Sequence, residues 1–270
     1  ILSFIILFSG FLYVFISKNL FDSDFWWHIS TGRYIVETGS IPDKDPFSFT
    51  SNLEENKNLL PEREKFILKQ YWLAQVIFYL IYDSAGPKGI IFLRAFLLTA
   101  MLLIVFWRLK RWQVSFYIYF TSLFFLYLNA LQFTGERPVL FTILFTPLTF
   151  FILEDFRCKK DKRIFLLLPL MLLWANLHGG FVIGGIIIAV FMFGEVIKII
   201  FKKSVYTKNE KILFYSATII ALGASYINPT GWEAFHIALS HKYKFLEQGI
   251  HEYYSPFFLY INKLSPVNYG

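Results

Sequence analysis

Long apolar runs, joined by short connectors whose charge alternates, constrain this chain more than any other feature. The runs cover residues 2–16, 90–107, 114–131, 139–153, 164–177, 181–200 and 212–227, and with polar flanks they approach the ~20 residues a helix needs to cross hydrocarbon. Backbone polar groups in lipid must be satisfied within the segment, which a helix does. The chain is therefore expected to be all-α: a polytopic transmembrane helical bundle with seven spans. Residues 71–82 form a further apolar stretch, expected to be re-entrant, interfacial or the slanted start of the second span. Composition agrees, since only 17% of residues are charged against about a quarter in a soluble domain.

The connectors give an orientation. Three are basic: Arg108, Lys110 and Arg111; Arg157, Lys159, Lys160, Lys162 and Arg163; and Lys198, Lys202, Lys203, Lys208 and Lys211. The alternate connectors, 132–138 and 178–180, carry one Arg between them. The positive-inside rule puts the basic connectors in the cytoplasm. Loop 17–70, the turns at Arg137 and His178, and the tail 228–270 then share the opposite face. The net charge of +7 is a topology signal and carries no implication of nucleic acid. Cys158, the one cysteine, excludes an internal disulfide and a cysteine metal cluster. The first run lacks a basic leader and a small-residue cleavage site, so it is expected to be a retained span. One membrane domain, 1–270, is expected. The start at Ile1 and the stop at Gly270 lead us to expect part of a longer chain.

Loop 17–70 holds the densest chemistry. Residues 24–38 predict an amphipathic helix, with Phe25, Ile29, Gly32 and Val36 on one face and Gly39 as terminator. Asp22 or Asp24 suits the N-terminus of that helix by capping and dipole, which accounts for one acid and leaves a second. Trp26 and Trp27 suit the headgroup layer and place both acids at bilayer level facing water, where an acid–base group acting on a lipid-linked substrate would sit. Asp43 and Asp45, between Pro42 and Pro46, read as turn chemistry, and 52–64 as a polar excursion. Arg94, about two turns inside the second span, either snorkels to headgroups or binds an anionic lipid group. Arg137-Pro138 opens the fourth span. Asn176 and His178, in Trp174-Ala-Asn-Leu-His-Gly-Gly180, add polar groups at a membrane boundary. Glu195 is expected to pair with Lys198. No phosphate loop, Gly-x-Ser-x-Gly elbow or His-Glu-x-x-His motif occurs.

In these motifs the chain resembles the GT-C superfamily of integral-membrane glycosyltransferases, and within it a group of bacterial glycosyltransferase-like membrane proteins. The resemblance rests on Asp22-Ser-Asp24-Phe-Trp-Trp-His28, Thr31-Gly-Arg33-Tyr-Ile-Val-Glu-Thr-Gly39, Asp45-Pro-Phe-Ser-Phe-Thr50, Trp72-Leu-Ala-Gln75, Arg137-Pro138 and Trp174-Ala-Asn-Leu-His-Gly-Gly-Phe181, in order along the chain. It implies a seven-span module whose first external loop carries the amphipathic helix. It implies Asp24 as the catalytic carboxylate. The family's second acid directly follows the first, whereas here Phe25 follows and Asp22 precedes. Relatives carry His-Glu before the Trp-Leu pair, where this chain has Gln70-Tyr71.

The expectation is a transferase of the bacterial inner membrane, moving a sugar from a polyprenyl-phosphate donor to an acceptor on the non-cytoplasmic side. Asp24 and Asp22 are the catalytic residues, Asp24 as base and Asp22 tuning it or orienting the acceptor. Trp26, Trp27, His28, Arg33, Arg94, Arg137, Asn176 and His178 bind substrate, with Arg137 and either Arg94 or His178 neutralising the leaving phosphate. No cofactor is implied, and a divalent metal is not predicted. The partners implied are the lipid donor and membrane lipids. The alternatives are a carrier or flippase for an anionic or lipid-linked substrate, and a noncatalytic assembly subunit on the same scaffold.

Overall fold

A computed structural model describes residues 9–10, 12–13, 15–20, 22, 24–43, 46–47, 69–132 and 135–233. Most of the first expected span, Asp45, the excursion 52–64 and the tail from 234 lie outside the described residues.

The described chain is helical, with no strand among the described residues. A leading helix ends at Ser17. Then follow α1 (Asp24–Thr38), α2 (Trp72–Arg111), α3 (Phe116–Gln132), α4 (Val139–Lys159), a 3-10 turn (Lys162–Leu166), α5 (Leu167–Leu177), α6 (Phe181–Ile200) and α7 (Lys208–Ala224). Helices α2, α4 and α6 are long and apolar enough to cross a membrane. Helices α3, α5 and α7 are shorter, so these lengths do not by themselves make seven spans. In α5 the cause is local. Asp161 accepts the Arg163 N–H at 3.0 Å, a cap that sets a 3-10 turn over five residues, three of which were expected to open an α-helical span.

The apolar stretch at 71–82 belongs to α2. Gly86, at φ 61° and ψ −157°, breaks that helix where Pro87 starts its second half. Only glycine takes this backbone without strain, and proline is suited to a first helical position. The first half of α2 lies against α1. A Cβ on Gly32 would overlap the Gln75 carbonyl oxygen, so backbone meets backbone there. Gly39, at φ 68°, ends α1. The buried stripe of α1 is Phe25, His28, Ile29, Thr31, Gly32 and Ile35. Val36, expected on that face, is 45% exposed, because successive burial at 28, 32 and 35 leaves position 36 outside the stripe.

Two cores stack along α4. One joins the leading helix, α1, α2 and the first turns of α4 around Phe25, Phe78, Leu98 and Leu140. The other joins the end of α4 to α5, α6 and α7 around Leu153, Met171, Trp174 and Phe214. Phe145 packs against both. Outward faces of α3 and α6 remain apolar: Tyr117 is 81% exposed and Phe193 67%.

At one end of the bundle the basic connectors are stitched to acids on α4. Arg108 reaches Glu154 at 3.0 Å and Asp155 at 3.4 Å, and Arg111 reaches Asp155 at 2.5 Å. Glu195 accepts from Ser204 Oγ at 2.5 Å and lies 3.5 Å from Lys198. The acids of interest lie at the other end.

Candidate functional site

Three consecutive residues before α4, Gly135-Glu136-Arg137, organise that end. Arg137 faces the acids: its Nε donates to Asp22 Oδ2 at 2.6 Å, and its Nη2 lies 3.0 Å from Asp24 Oδ2. Asp22 and Arg137 are 115 residues apart in the chain, and the packing of both α1 and α4 on α2 brings them together. The two carboxylates differ. Asp22 is 7% exposed, and its Oδ1 accepts the Asp24 N–H at 3.0 Å, so it also holds the first turn of α1. Asp24 is 55% exposed. An exposed ion pair of that kind contributes only ~0.2–1 kcal/mol. The neighbouring Gly135 leaves the room Asp22 needs, since a Cβ there would collide with Asp22 Oδ2.

Glu136 turns the other way. It forms an ion pair with Arg94 in which neither side chain has exposed surface. The Arg94 guanidinium also donates to the carbonyl oxygens of Phe15 (2.9 Å), Lys18 and Asn19 (3.3 Å). These carbonyls lie at and just beyond the end of the leading helix, where intrahelical donors run out. Glu136 Oε2 in turn accepts the Asp22 N–H at 3.4 Å. The expectation for Arg94 is thus corrected: at 0% exposure it neither snorkels nor presents itself to a lipid anion, because carboxylate and carbonyl oxygens of the protein surround a charge that burial would otherwise make costly. An arginine two turns inside a span demands such a partner, and that demand was the sequence signal for Glu136.

Behind the acids stands an aromatic and imidazole stack. His28 meets Tyr71 edge-on at 5.4 Å, and Tyr71 stacks on His178 at 5.4 Å between ring centres. Desolvation lowers the His28 pKa from 6.5 to about 3, with Asp22 opposing and Arg137 and His178 assisting. Asp22, Arg137 and His178 are therefore each in electrostatic reach of His28. Burial alone lowers His178 to about 4, so both imidazoles are neutral at pH 7. The tautomer of His178 follows from its partners. Its Nδ1 accepts the Gly180 N–H at 2.9 Å and faces Thr142 Oγ1 at 2.7 Å, while Thr142 Oγ1 accepts from Trp174 Nε1 at 2.8 Å. The proton then sits on Nε2. His178 offers a neutral N–H donor, so the expectation that it supplies positive charge to a phosphate is corrected. The cation beside the acids is Arg137.

The remaining expected residues divide. Asn176 is a strut: its Oδ1 accepts from Trp72 Nε1 at 2.9 Å, and its Nδ2 donates to the Leu172 and Ile227 carbonyls, each at 2.8 Å. Arg33 is 64% exposed and pairs with Glu37 at 2.7 Å, one turn along its own helix and away from the acids. Trp26 is 54% exposed and packs edge-on against Phe25 and Tyr82. Trp27 packs edge-on against His28. Asp43 is 78% exposed beside Lys69, in keeping with turn chemistry. Sequence reasoning missed Glu136, Tyr71, Gln75 and Thr142. Gln75 is fully buried with its Nε2 3.3 Å from His28 Nδ1; it stood in the Trp72-Leu-Ala-Gln75 motif, but the tie to His28 needs α1 docked on α2.

An apolar groove of about 530 Å³ starts at Thr142 and runs between α2, α3, α4 and α6 to Arg108 and Trp112. Thr142 thus belongs both to the His178 hydrogen-bond chain and to the groove wall. No family model matches this chain, and neither does any curated protein or solved structure.

Proposed function

We propose that this protein is a membrane glycosyltransferase that moves a sugar from a polyprenyl-phosphate donor to a hydroxyl acceptor at the face carrying Asp24, Arg137 and His178. One observation carries the reading. A guanidinium able to bind phosphate lies 3.0 Å from an exposed carboxylate able to take a proton, and an apolar groove suited to an isoprenoid chain is lined by Thr142, which belongs to the His178 network.

In the proposed reaction Asp24 takes the proton from the acceptor hydroxyl while the acceptor oxygen forms a bond to the anomeric carbon. The bond from that carbon to the phosphate oxygen breaks, and the electron pair leaves with the polyprenyl phosphate. Attack opposite the leaving group inverts the anomeric centre. Arg137 neutralises the charge that grows on the phosphate, and His178 Nε2–H donates a hydrogen bond without adding charge. Asp22 holds Arg137 and the first turn of α1 in place. Apart from Arg94, which is sealed by Glu136, the polar groups described above gather at the helix ends, which speaks for an enzyme over a carrier, whose path would need them within several spans.

The experiment is transfer of radiolabelled sugar from synthetic polyprenyl-phosphate sugars by protein purified in nanodiscs. Turnover lost in Asp24→Asn and in Arg137→Gln supports the reading. Wild-type protein that turns over none of a panel of hexosyl and pentosyl donors overturns it in favour of the carrier or noncatalytic readings.

A further inference from the structure

We infer that the Arg137 bridge is an exchangeable latch: a substrate phosphate replaces the Asp24 carboxylate on Arg137 and thereby releases Asp24 to accept a proton. The inference rests on the phosphate-lipid reading of this site and adds an order of events to it.

The two ends of the bridge are held unequally. Asp22 is 7% exposed and immobilised by Arg137 Nε at 2.6 Å, by the Asp24 N–H at 3.0 Å, and through its own N–H by Glu136. Gly135 closes against its Oδ2. Asp24, 55% exposed, reaches the guanidinium at Nη2 alone, at 3.0 Å. In this state the site is occupied by its own groups. With Oδ2 turned onto the guanidinium, one of the two Asp24 oxygens is taken up and the carboxylate is held in that orientation, and the cation meant for phosphate is already partly neutralised.

A phosphate changes the competition at one end only. It brings more charge than a carboxylate and oxygens spaced for the guanidinium fork. It therefore takes Nη2 from the exposed Asp24, while Nε stays with the buried Asp22. Asp22 is the hinge of the latch and Asp24 its moving half. The carboxylate becomes available only when a phosphate is present, so proton abstraction waits for the donor.

The test is carbon-13 NMR of side-chain carboxylates in the full chain, labelled at aspartate and held in nanodiscs, with Asp22→Asn and Asp24→Asn used for assignment. Inorganic phosphate and farnesyl phosphate are titrated separately against sodium chloride of equal ionic strength. We expect either phosphate to move the Asp24 signal towards its position in Arg137→Gln, while the Asp22 signal stays. Arg137→Lys, whose single ammonium cannot span both acids, should place Asp24 at the released position without phosphate. Greater potency of farnesyl phosphate assigns the anion to a lipid; equal potency assigns it to a free phosphate. An Asp24 signal unmoved by both phosphates, or one already at its Arg137→Gln position in the untreated wild type, overturns the latch. Sugar transfer is a separate readout. A phosphate-responsive Asp24 in a protein without transfer activity sinks the transferase reading and leaves the latch, whereas transfer with an unresponsive Asp24 sinks the latch alone.

Discussion

Arg94 and Glu136 meet as an ion pair with no exposed surface on either side chain, and both also hold backbone near the acids. Removing one partner leaves a buried charge uncompensated, at a cost of about 3–5 kcal/mol. Glu136→Ala is therefore expected to lower thermal stability severely. Arg94→Met combined with Glu136→Leu should recover part of the loss, since no bare charge remains, but not all of it, because the carbonyls of Phe15, Lys18 and Asn19 lose their donor. Thermal unfolding in detergent checks both. A double variant less stable than either single one would contradict the ion-pair account.

The two acids should respond differently to the same substitution. Asp24→Asn removes an exposed carboxylate whose ion pair contributes little, so stability should stay near wild type while transfer falls by roughly 10²–10⁴-fold. Asp22→Asn keeps the oxygen that accepts the Asp24 N–H. It turns an amide towards Arg137 Nε, however, and donor then meets donor. It should lower stability and activity together. Transfer rates and melting temperatures of the purified pair separate the roles.

Stability should fall as pH drops below about 6.5. The unfolded histidines gain protons there, whereas folded His28 and His178 resist until about 3 and about 4. The folded pKa values lie below the unfolded one, so the loss accumulates on the acid side and vanishes above pH 7. Each histidine contributes a slope of about 1.4 kcal/mol per pH unit. Melting temperatures between pH 7.5 and 4.5 should decline less steeply in His28→Gln than in wild type. Parallel curves would show that His28 is not buried neutral.

Glycine substitutions give a contrast inside helices. A Cβ added at Gly194 would meet nothing within 4 Å among the described residues, so Gly194→Ala should be neutral or stabilising by about 0.5–1 kcal/mol. Gly32→Ala drives a methyl into the Gln75 carbonyl oxygen, and backbone cannot yield as a side-chain tip can. Overpacking of about 1–3 kcal/mol should outweigh the helix-propensity gain. A separated α1 would also detach the acids from Arg137, so transfer should fall with stability.

Cys158 is exposed and sits at the end of α4 opposite Asp24. If the basic connectors face the cytoplasm, a membrane-impermeant maleimide should label it only after cells are permeabilised. Labelling in intact cells would invert the orientation and put Asp24 on the cytoplasmic side.

What the sequence determined by itself is what repeats or acts locally. Apolar runs dictated the helical class, because hydrophobic length and backbone satisfaction are properties of a segment. The extent of α1 followed from its period, an acid at its start and Gly39 at its end. The basic connectors were legible for the same reason. Only the tertiary structure decided what those segments do to each other. Arg94 and Arg137 looked alike as cations near one face, yet docking seals Arg94 under Glu136 and turns Arg137 outward to two acids. Asn176 and His178 looked alike as boundary polar groups, yet one became a strut and the other a neutral donor. A side chain's role depends on which distant groups satisfy its charge and hydrogen bonds, and partners such as Asp22 and Arg137, 115 residues apart, leave no trace in the spacing of either.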